Sequence, residues 1–377
     1  MNTAIYTLTS ELHDEEAVGA VTREFLNTLE IAYDYQGGNY ADYGSHALDL
    51  IYVRTGGTEG IFRRLLPQLQ QQSKRPFRLL TSGKSNSLAA SAEILSYLRQ
   101  HGLDGEIIHG STAYVNRRLH LLEQAETVRR RLDGSRLGVI GKPSDWLISS
   151  GADYSRVKAS LGIELVDVPM QELIDAIGPA TIYDALKTLV SRHGLQGFTL
   201  RCFDLLTSVH DTGCMALGQL NAEGIVSGCE GDVPALLSMA IIHALTGVSG
   251  FQANPARIDV ETGELLFAHC TIPLNMVERY ETDTHFESGI GTAIRGYMKE
   301  GPVTLFKVSG DLRRHFIAEG QLVRNQAEAD LCRTQQVIRL NDSRQASYFL
   351  TNPIGNHHII VAGHHRDVLE EVMKNEE

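Results

Sequence analysis

The sequence predicts two layered α/β units followed by a β-rich C-terminal part, and three observations carry that expectation. Over the first 150 or so residues, short apolar runs alternate with stretches of helical period, the pattern of a sheet flanked by helices. A second alternation of the same kind begins near residue 150. After residue 255 the helical period gives way to closely spaced strands punctuated by turn residues. The corresponding domains are 1–150, 151–255 and 256–377, and a chain of 377 residues is long enough to bury a core in each.

In the first unit, apolar runs at 4–8, 48–53, 77–80, 107–109 and 137–140 read as strands of a mostly parallel sheet. Helical periods at 15–29, 61–71, 87–100 and 116–132 separate them. Three strands end in small or polar turns: Arg54-Thr55-Gly56-Gly57-Thr58-Glu59, Thr81-Ser82-Gly83-Lys84-Ser85-Asn86 and Gly141-Lys142-Pro143-Ser144-Asp145. In an open α/β sheet such turns share the carboxyl edge, where ligands dock. Gly56-Gly57 lets backbone amides approach a ligand, and Thr55, Thr58, Ser85, Asn86 and Ser144 are neutral groups suited to sugar hydroxyls; all are equally suited to caps and turns. Neither a phosphate-binding Gly-x-x-x-x-Gly-Lys frame nor a dinucleotide fingerprint is present.

The second unit reads as a strand at 163–168, a helix over 170–193 and a strand at 198–201. Strands at 265–269, 303–308, 320–323, 335–340 and 358–362 then suggest a compact barrel or sandwich, closed by a helix over 366–374.

Composition narrows the function classes. Hydrophobic residues make up 42% and charged residues 21%, and no apolar run is long enough to cross a bilayer, so no membrane role is expected. The formal charge of -12 argues against nucleic acid as a partner. Arg129-Arg130-Arg131 reads as the solvated face of an amphipathic helix. The N-terminus shows no export signal, and the five cysteines lack Cys-x-x-Cys spacing, so reduced thiols in a cytoplasmic protein are expected.

Acidic and imidazole groups collect in the second half. Cys229-Glu230-Gly231-Asp232-Val233-Pro234 sets two acids before a helix, 235–245, that is apolar almost all round and therefore buried. Asp232 suits a helix cap, whereas Glu230 precedes the turn and can project from the sheet edge. His269 interrupts an apolar strand; His285 and Glu287 share one side of an extended segment. His357 and His358 are adjacent on a strand and so point to opposite faces, leaving one of them to reach a shared metal and the other to orient a ligand or touch substrate.

Taken in order, Arg54-Thr55-Gly56-Gly57-Thr58-Glu59, Asn86-Ser87-Leu88, Gly141-Lys142-Pro143-Ser144-Asp145-Trp146-Leu147, Gly228-Cys229-Glu230-Gly231-Asp232, Leu245-Thr246-Gly247, Ala268-His269-Cys270 and His357-His358 resemble the L-fucose isomerase and L-arabinose isomerase superfamily, in particular its short fucose isomerase-like branch. The resemblance implies two Rossmann-like α/β domains before a β-rich C-terminal domain, and a homo-oligomer, trimer or hexamer. It also implies a divalent cation of the Mn²⁺ type and aldose-ketose interconversion of a monosaccharide or its derivative through an ene-diol. In the resembled family a glutamate at the position of Glu230, an aspartate after the next helix and a C-terminal histidine hold the metal. Here Asn254 stands at the aspartate position; its carbonyl oxygen can ligate, but it accepts no proton. The expected metal ligands are Glu230, Asn254 and His358, and the expected proton-transfer acids are Glu230, Asp232 and Glu287. Substrate contacts are expected from Thr55, Gly56, Gly57, Asn86, Ser144, His269, His285 and His357. The loss of one acid leaves two alternatives: a related epimerase or aldolase, or a non-catalytic carbohydrate-binding or regulatory protein.

Overall fold

A computed structural model describes residues 3–178 and 180–374. The chain divides into two compact units, the first ending at Thr127 and the second starting at Val128. In the first, β1 (Thr3–Leu8), α1 (Glu15–Leu26), β2 (Asp34–Gly37), β3 (Leu48–Val53), α2 (Glu59–Gln72), β4 (Phe77–Leu80), α3 (Ser87–Gln100) and β5 (Gly105–Ile108) follow one another. Their five strands form a parallel sheet in the order β2-β1-β3-β4-β5. Both faces are buried: Tyr6, Ile51 and Leu79 join one core, and Ile5, Leu50 and Leu80 another. Strands β1, β3 and β4 are buried throughout and read as continuous apolar runs, whereas the edge strand β2 is only partly buried, has no such run and is not expected from the sequence.

Helix α4 (Thr112–Leu132) leads into the second unit. There, β6 (Arg136–Ile140), α5 (Tyr154–Leu161), β7 (Glu164–Val168), α6 (Met170–Ile177), α7 (Ile182–His193), β8 (Gly197–Leu200), α8 (Phe203–Ser208), α9 (Cys214–Ala222), β9 (Val226–Cys229) and α10 (Val233–Thr246) build a second parallel sheet. Its order is β7-β6-β8-β9. The single helix expected over 170–193 is two helices; α6 stops before Gly178, and Thr181 caps α7 by accepting from Asp184 N.

The remaining chain contributes β10 (Phe251–Ile258), β11 (Glu264–His269), β12 (Arg279–Asp283), β13 (Ala293–Tyr297), β14 (Gly301–Val308), β15 (His315–Gln326), β16 (Thr334–Leu340), α11 (Tyr348–Thr351), β17 (His358–Ala362) and α12 (Arg366–Met373). Six strands close into an antiparallel barrel, β10-β11-β16-β15-β14-β17. Strand β10 escaped the sequence reading because Pro255 sits inside it; the register shifts there, the irregularity that lets a sheet accept proline. Helix α10 packs on β8 and β9 with one side and on β14 and β17 with the other. That placement between sheet and barrel accounts for a helix with no polar face.

In the Arg129–Arg131 run Arg130 and Arg131 are exposed, as expected of a solvated helix face, and two of the three also bind main-chain carbonyls. Arg129 donates to the carbonyls of Glu371 and Val372, and Arg131 to that of Ala244. These are last-turn carbonyls of α12 and α10, where the helix dipole attracts cations. Among the described residues, no helix is long and apolar enough to cross a membrane.

Candidate active site at the carboxyl edge of the second sheet

Parallel β6, β8 and β9 end side by side, and their following loops interlock. Gly231 N donates to Leu200 O at 3.0 Å, Arg201 N to Ile140 O at 3.0 Å, and Ser144 N to Gly231 O at 3.4 Å, while Ser144 Oγ donates to Glu230 O. The turn itself requires left-handed backbone at two consecutive residues, with φ of 61° at Glu230 and 64° at Gly231. Glycine adopts this freely; for Glu230 it costs on the order of 1–2 kcal/mol. A Cβ on Gly231 would stand 3.0 Å from Lys142 O and Ser144 N, so that position tolerates no side chain. Strain of this kind persists where the surrounding structure enforces it, commonly at functional sites.

Two histidines of the barrel face the Glu230 carboxylate. His269 ends β11, with Nε2 at 3.3 Å from Glu230 Oε1 and Nδ1 at 3.1 Å from Thr271 Oγ1. His357 immediately precedes β17; its Nε2 is 3.7 Å from the same oxygen and its Nδ1 is 2.9 Å from Asp232 Oδ2. Both Nε2 atoms are buried and have no partner other than this oxygen. The rings stand edge to face, 5.1 Å apart. Burial alone would raise the Glu230 pKa, but the two imidazoles, His357 foremost, hold it well below the ordinary value. Burial likewise opposes a charge on His357, yet Glu230 and Asp232 raise its pKa to about 9.

Asp232 supports this arrangement from behind. Its carboxylate accepts from Ala235 N at 2.8 Å as the cap of α10, pairs with Lys307 Nζ at 3.2 Å, and fixes the His357 ring. Against burial, Lys307 and His357 bring its pKa down to about 2. With both oxygens engaged, Asp232 holds the His357 ring in place, the arrangement of an outer carboxylate that orients a ligating imidazole. A separate cavity of ≈ 580 Å³ borders this network through Lys307, Pro234 and Gly355; Glu230, His269 and His357 do not line it.

Other expected members fall elsewhere. His358 is turned away: its Nε2 meets Tyr348 Oη at 3.0 Å, its Nδ1 meets Asn356 O at 3.0 Å, and Phe349 and Phe316 pack on its ring. Burial, then Lys307, push its pKa down to about 3, a neutral core histidine with no free nitrogen for a metal. Asn254 Oδ1 accepts from Asn356 Nδ2 at 3.0 Å, which ties it to the loop before His357. His285 is buried, bonded to Ser288 Oγ and set against Phe203, whereas Glu287 is exposed on the same turn. Ser144 acts on the backbone of the Glu230 turn. Thr55, Gly56, Gly57 and Asn86 lie on the N-terminal unit, where Ser10 N donates to Thr55 Oγ1 and Gly56 N to Ser85 O; Asn86 has a φ of 58°.

The cysteines, unpatterned in sequence, gather nearby. Cys229 Sγ lies 3.1 Å from Cys202 Sγ, and Cys214, Cys270 and Cys332 share one small cluster. One ligand atom each from Cys229, Glu230 and His269 lie within 4.8 Å of one another. A carboxylate with two imidazole nitrogens, both buried and otherwise unpartnered, is a donor set that suits a divalent transition cation with positions left open. The residues present fit such a cation, which Glu230 and His269 would hold at metal-ligand spacing with Cys229, while His357 Nε2, 3.7 Å from the same Glu230 oxygen, would be a further nitrogen donor.

Among curated proteins, sulfoquinovose isomerase of Priestia aryabhattai is 25% identical over 262 residues, 59% of this chain and 59% of that protein. The sulfoquinovose isomerase of Priestia megaterium matches to the same extent, and that of Alkalicoccus urumqiensis is 23% identical over 261 residues. No family model matches the chain. The chain thus aligns with relatives named as sugar isomerases, and it spans 59% of their length.

Proposed function

We propose that this protein is a metal-dependent sugar isomerase that interconverts an aldose and a ketose at Glu230, His269 and His357, on a fold of Rossmann-like sheets joined to a barrel and related to the short fucose isomerase-like branch. The observation that carries the reading is the convergence of one ionised carboxylate with two buried, unpartnered imidazole nitrogens at a strained sheet-edge turn. The names of the relatives support the reaction class and put sulfoquinovose first among substrates to try. Assembly as a homo-oligomer belongs to the same reading.

A bound Mn²⁺-type cation would polarise the carbonyl and its neighbouring hydroxyl, acidifying the carbon-bound hydrogen between them. The chain's own residues perform the transfer. Glu230 presents Oε1 to the imidazoles, which leaves Oε2 to take the proton from C2 as a base that is ionised at neutral pH. The C1 oxygen takes a proton from a solvent water, which leaves hydroxide and gives the neutral ene-diol. Glu230 then returns its proton to C1 on the same face as the C2 hydroxyl gives its own to that hydroxide, which restores water and leaves the ketose. One carboxylate suffices for this same-face transfer, which is consistent with Asn254 at the place of a second acid. Asp232 keeps the His357 ring fixed throughout, and the buried surroundings strengthen each of these electrostatic contacts.

The test is conversion of an aldose panel headed by sulfoquinovose, run in D₂O with Mn²⁺-loaded protein. Ketose is the expected product, with deuterium at C1 only in the fraction of turnovers in which the Glu230 carboxyl exchanges with solvent before it returns its proton. Failure of folded, metal-loaded protein to convert any member ends the reading.

A further inference from the structure

We infer that Trp146, Arg201 and Phe203 form the platform on which the sugar ring rests beside Glu230. This rests on the reading above and adds a binding subsite to it. The four-stranded sheet reverses its winding between β6 and β8, the place where open α/β sheets bind ligands. The loop after β6 carries Trp146, the loop after β8 carries Arg201, and Phe203 opens the helix α8 that follows it. Trp146 follows Ser144, which is bonded to the Glu230 turn, by two residues; Arg201 follows Leu200, which accepts from Gly231 N, by one. At 3.8 Å per residue the platform begins within about 10 Å of that turn.

Its chemistry suits a carbohydrate. The indole is 40% exposed, an unusual state for so large an apolar group. It is held in one orientation by the Arg201 guanidinium 4.9 Å from its ring centre and by Phe203 edge-on at 5.2 Å. Phe203 is braced in turn by His285 at 5.9 Å. A rigid indole covers the C–H face of a pyranose, while rim groups bind its hydroxyls. The rim is Asp145, Asp204 and Arg201, joined at 3.1 Å on each side of the guanidinium. The two carboxylates outweigh the single guanidinium, so the platform recognises hydroxyls and ring, and an anionic substituent is bound elsewhere.

Trp146 is the sole tryptophan of the chain, so its emission reports this subsite alone. The full-length metal-loaded protein would be titrated with sulfoquinovose and with quinovose, the same ring without the sulfonate. Saturable change with both, at half-saturation values within roughly tenfold, is expected, together with a KM at least roughly tenfold higher in Trp146→Ala and a kcat altered by less than about threefold. Trp146→Phe, which keeps an aromatic face, should fall between the two. Silent emission at sugar concentrations that saturate turnover overturns the platform and leaves the isomerase standing. A response to the sulfonated sugar alone, erased by about 0.5 M salt, overturns it as well, by making the subsite an anion site. Saturable emission with both sugars but no conversion retains the platform and sinks the isomerase reading.

Discussion

In the N-terminal unit, the loops after β1, β3 and β4 meet through neutral groups that satisfy one another: Ser10 N with Thr55 Oγ1, and Gly56 N with Ser85 O. The loops after β6, β8 and β9 of the second unit interlock in a similar way, again with left-handed non-glycine residues, Lys142 and Glu230 matching Ser85 and Asn86. Yet there the outcome is a half-buried carboxylate facing two buried imidazole nitrogens that have no other partner. Both sheets have the reversed winding that opens a crevice at their carboxyl edge. What differs is the barrel, whose β11 end and β17 start carry His269 and His357 to Glu230 within the second unit. The comparison teaches that a parallel sheet offers a place, and that a second element packed on it supplies the chemistry.

The largest effect should come from removing the charge at the centre of the second edge. Glu230→Gln is expected to lower kcat by roughly a thousandfold or more with little change in fold, because it removes a proton carrier and keeps the shape. Activity within tenfold of the parent would break the contrast drawn between the two sheets.

Next comes the support behind His357. Asp232→Asn leaves the Lys307 ammonium buried beside a neutral amide, and loss of one partner from such a pair costs about 3–5 kcal/mol. The same change frees the His357 ring, for which a further tenfold to hundredfold loss of metal affinity is expected. Calorimetric unfolding and Mn²⁺ titration separate the two consequences.

The adjacent histidines should part company. His357→Asn is expected to abolish the rise in Tm produced by Mn²⁺, whereas His358→Asn should keep that rise and lower the baseline Tm through lost contact with Tyr348 and Phe349. Equal responses from both variants would refute the assignment of opposite faces.

The pH dependence of metal-free stability sharpens the same point. The depressed Asp232 carboxyl stabilises the fold above its unfolded pKa near 3.9, and that contribution is lost as pH falls toward about 2. The raised His357 pKa stabilises below about 6.5, and that contribution is lost as pH rises through about 9. Unfolding free energies from urea titration should therefore decline on both sides, by on the order of 2–3 kcal/mol each. The alkaline decline should flatten in His357→Asn; an unchanged alkaline limb would exclude His357 as its source.

The smallest effect belongs to the first sheet. Gly57 has a φ of 74°, and an added Cβ would approach Ser10 Oγ to 3.1 Å. Gly57→Ala should cost about 1–2 kcal/mol and leave Mn²⁺ binding intact, as read by thermal shift with and without the metal.

The sequence by itself determined the apolar strands of both sheets, most of the helices of the first, the change to β structure near residue 255 and the burial of α10, and it placed Glu230 before the turn at a sheet edge, because apolar periodicity and turn residues are local properties. It also brought the two C-terminal histidines into view and limited them to opposite faces. Only the tertiary structure decided between them. His357 turns toward Glu230 because β17 pairs with β10 and β14, while His358 faces the aromatic residues of the barrel. The raising of His269 from a strand histidine to a partner of Glu230, the conversion of Asp232 from acid to support through Lys307, and the gathering of the cysteines have the same origin. Each depends on residues up to 125 positions apart in the chain, and no periodicity encodes which distant side chains a closed barrel will bring to a sheet edge.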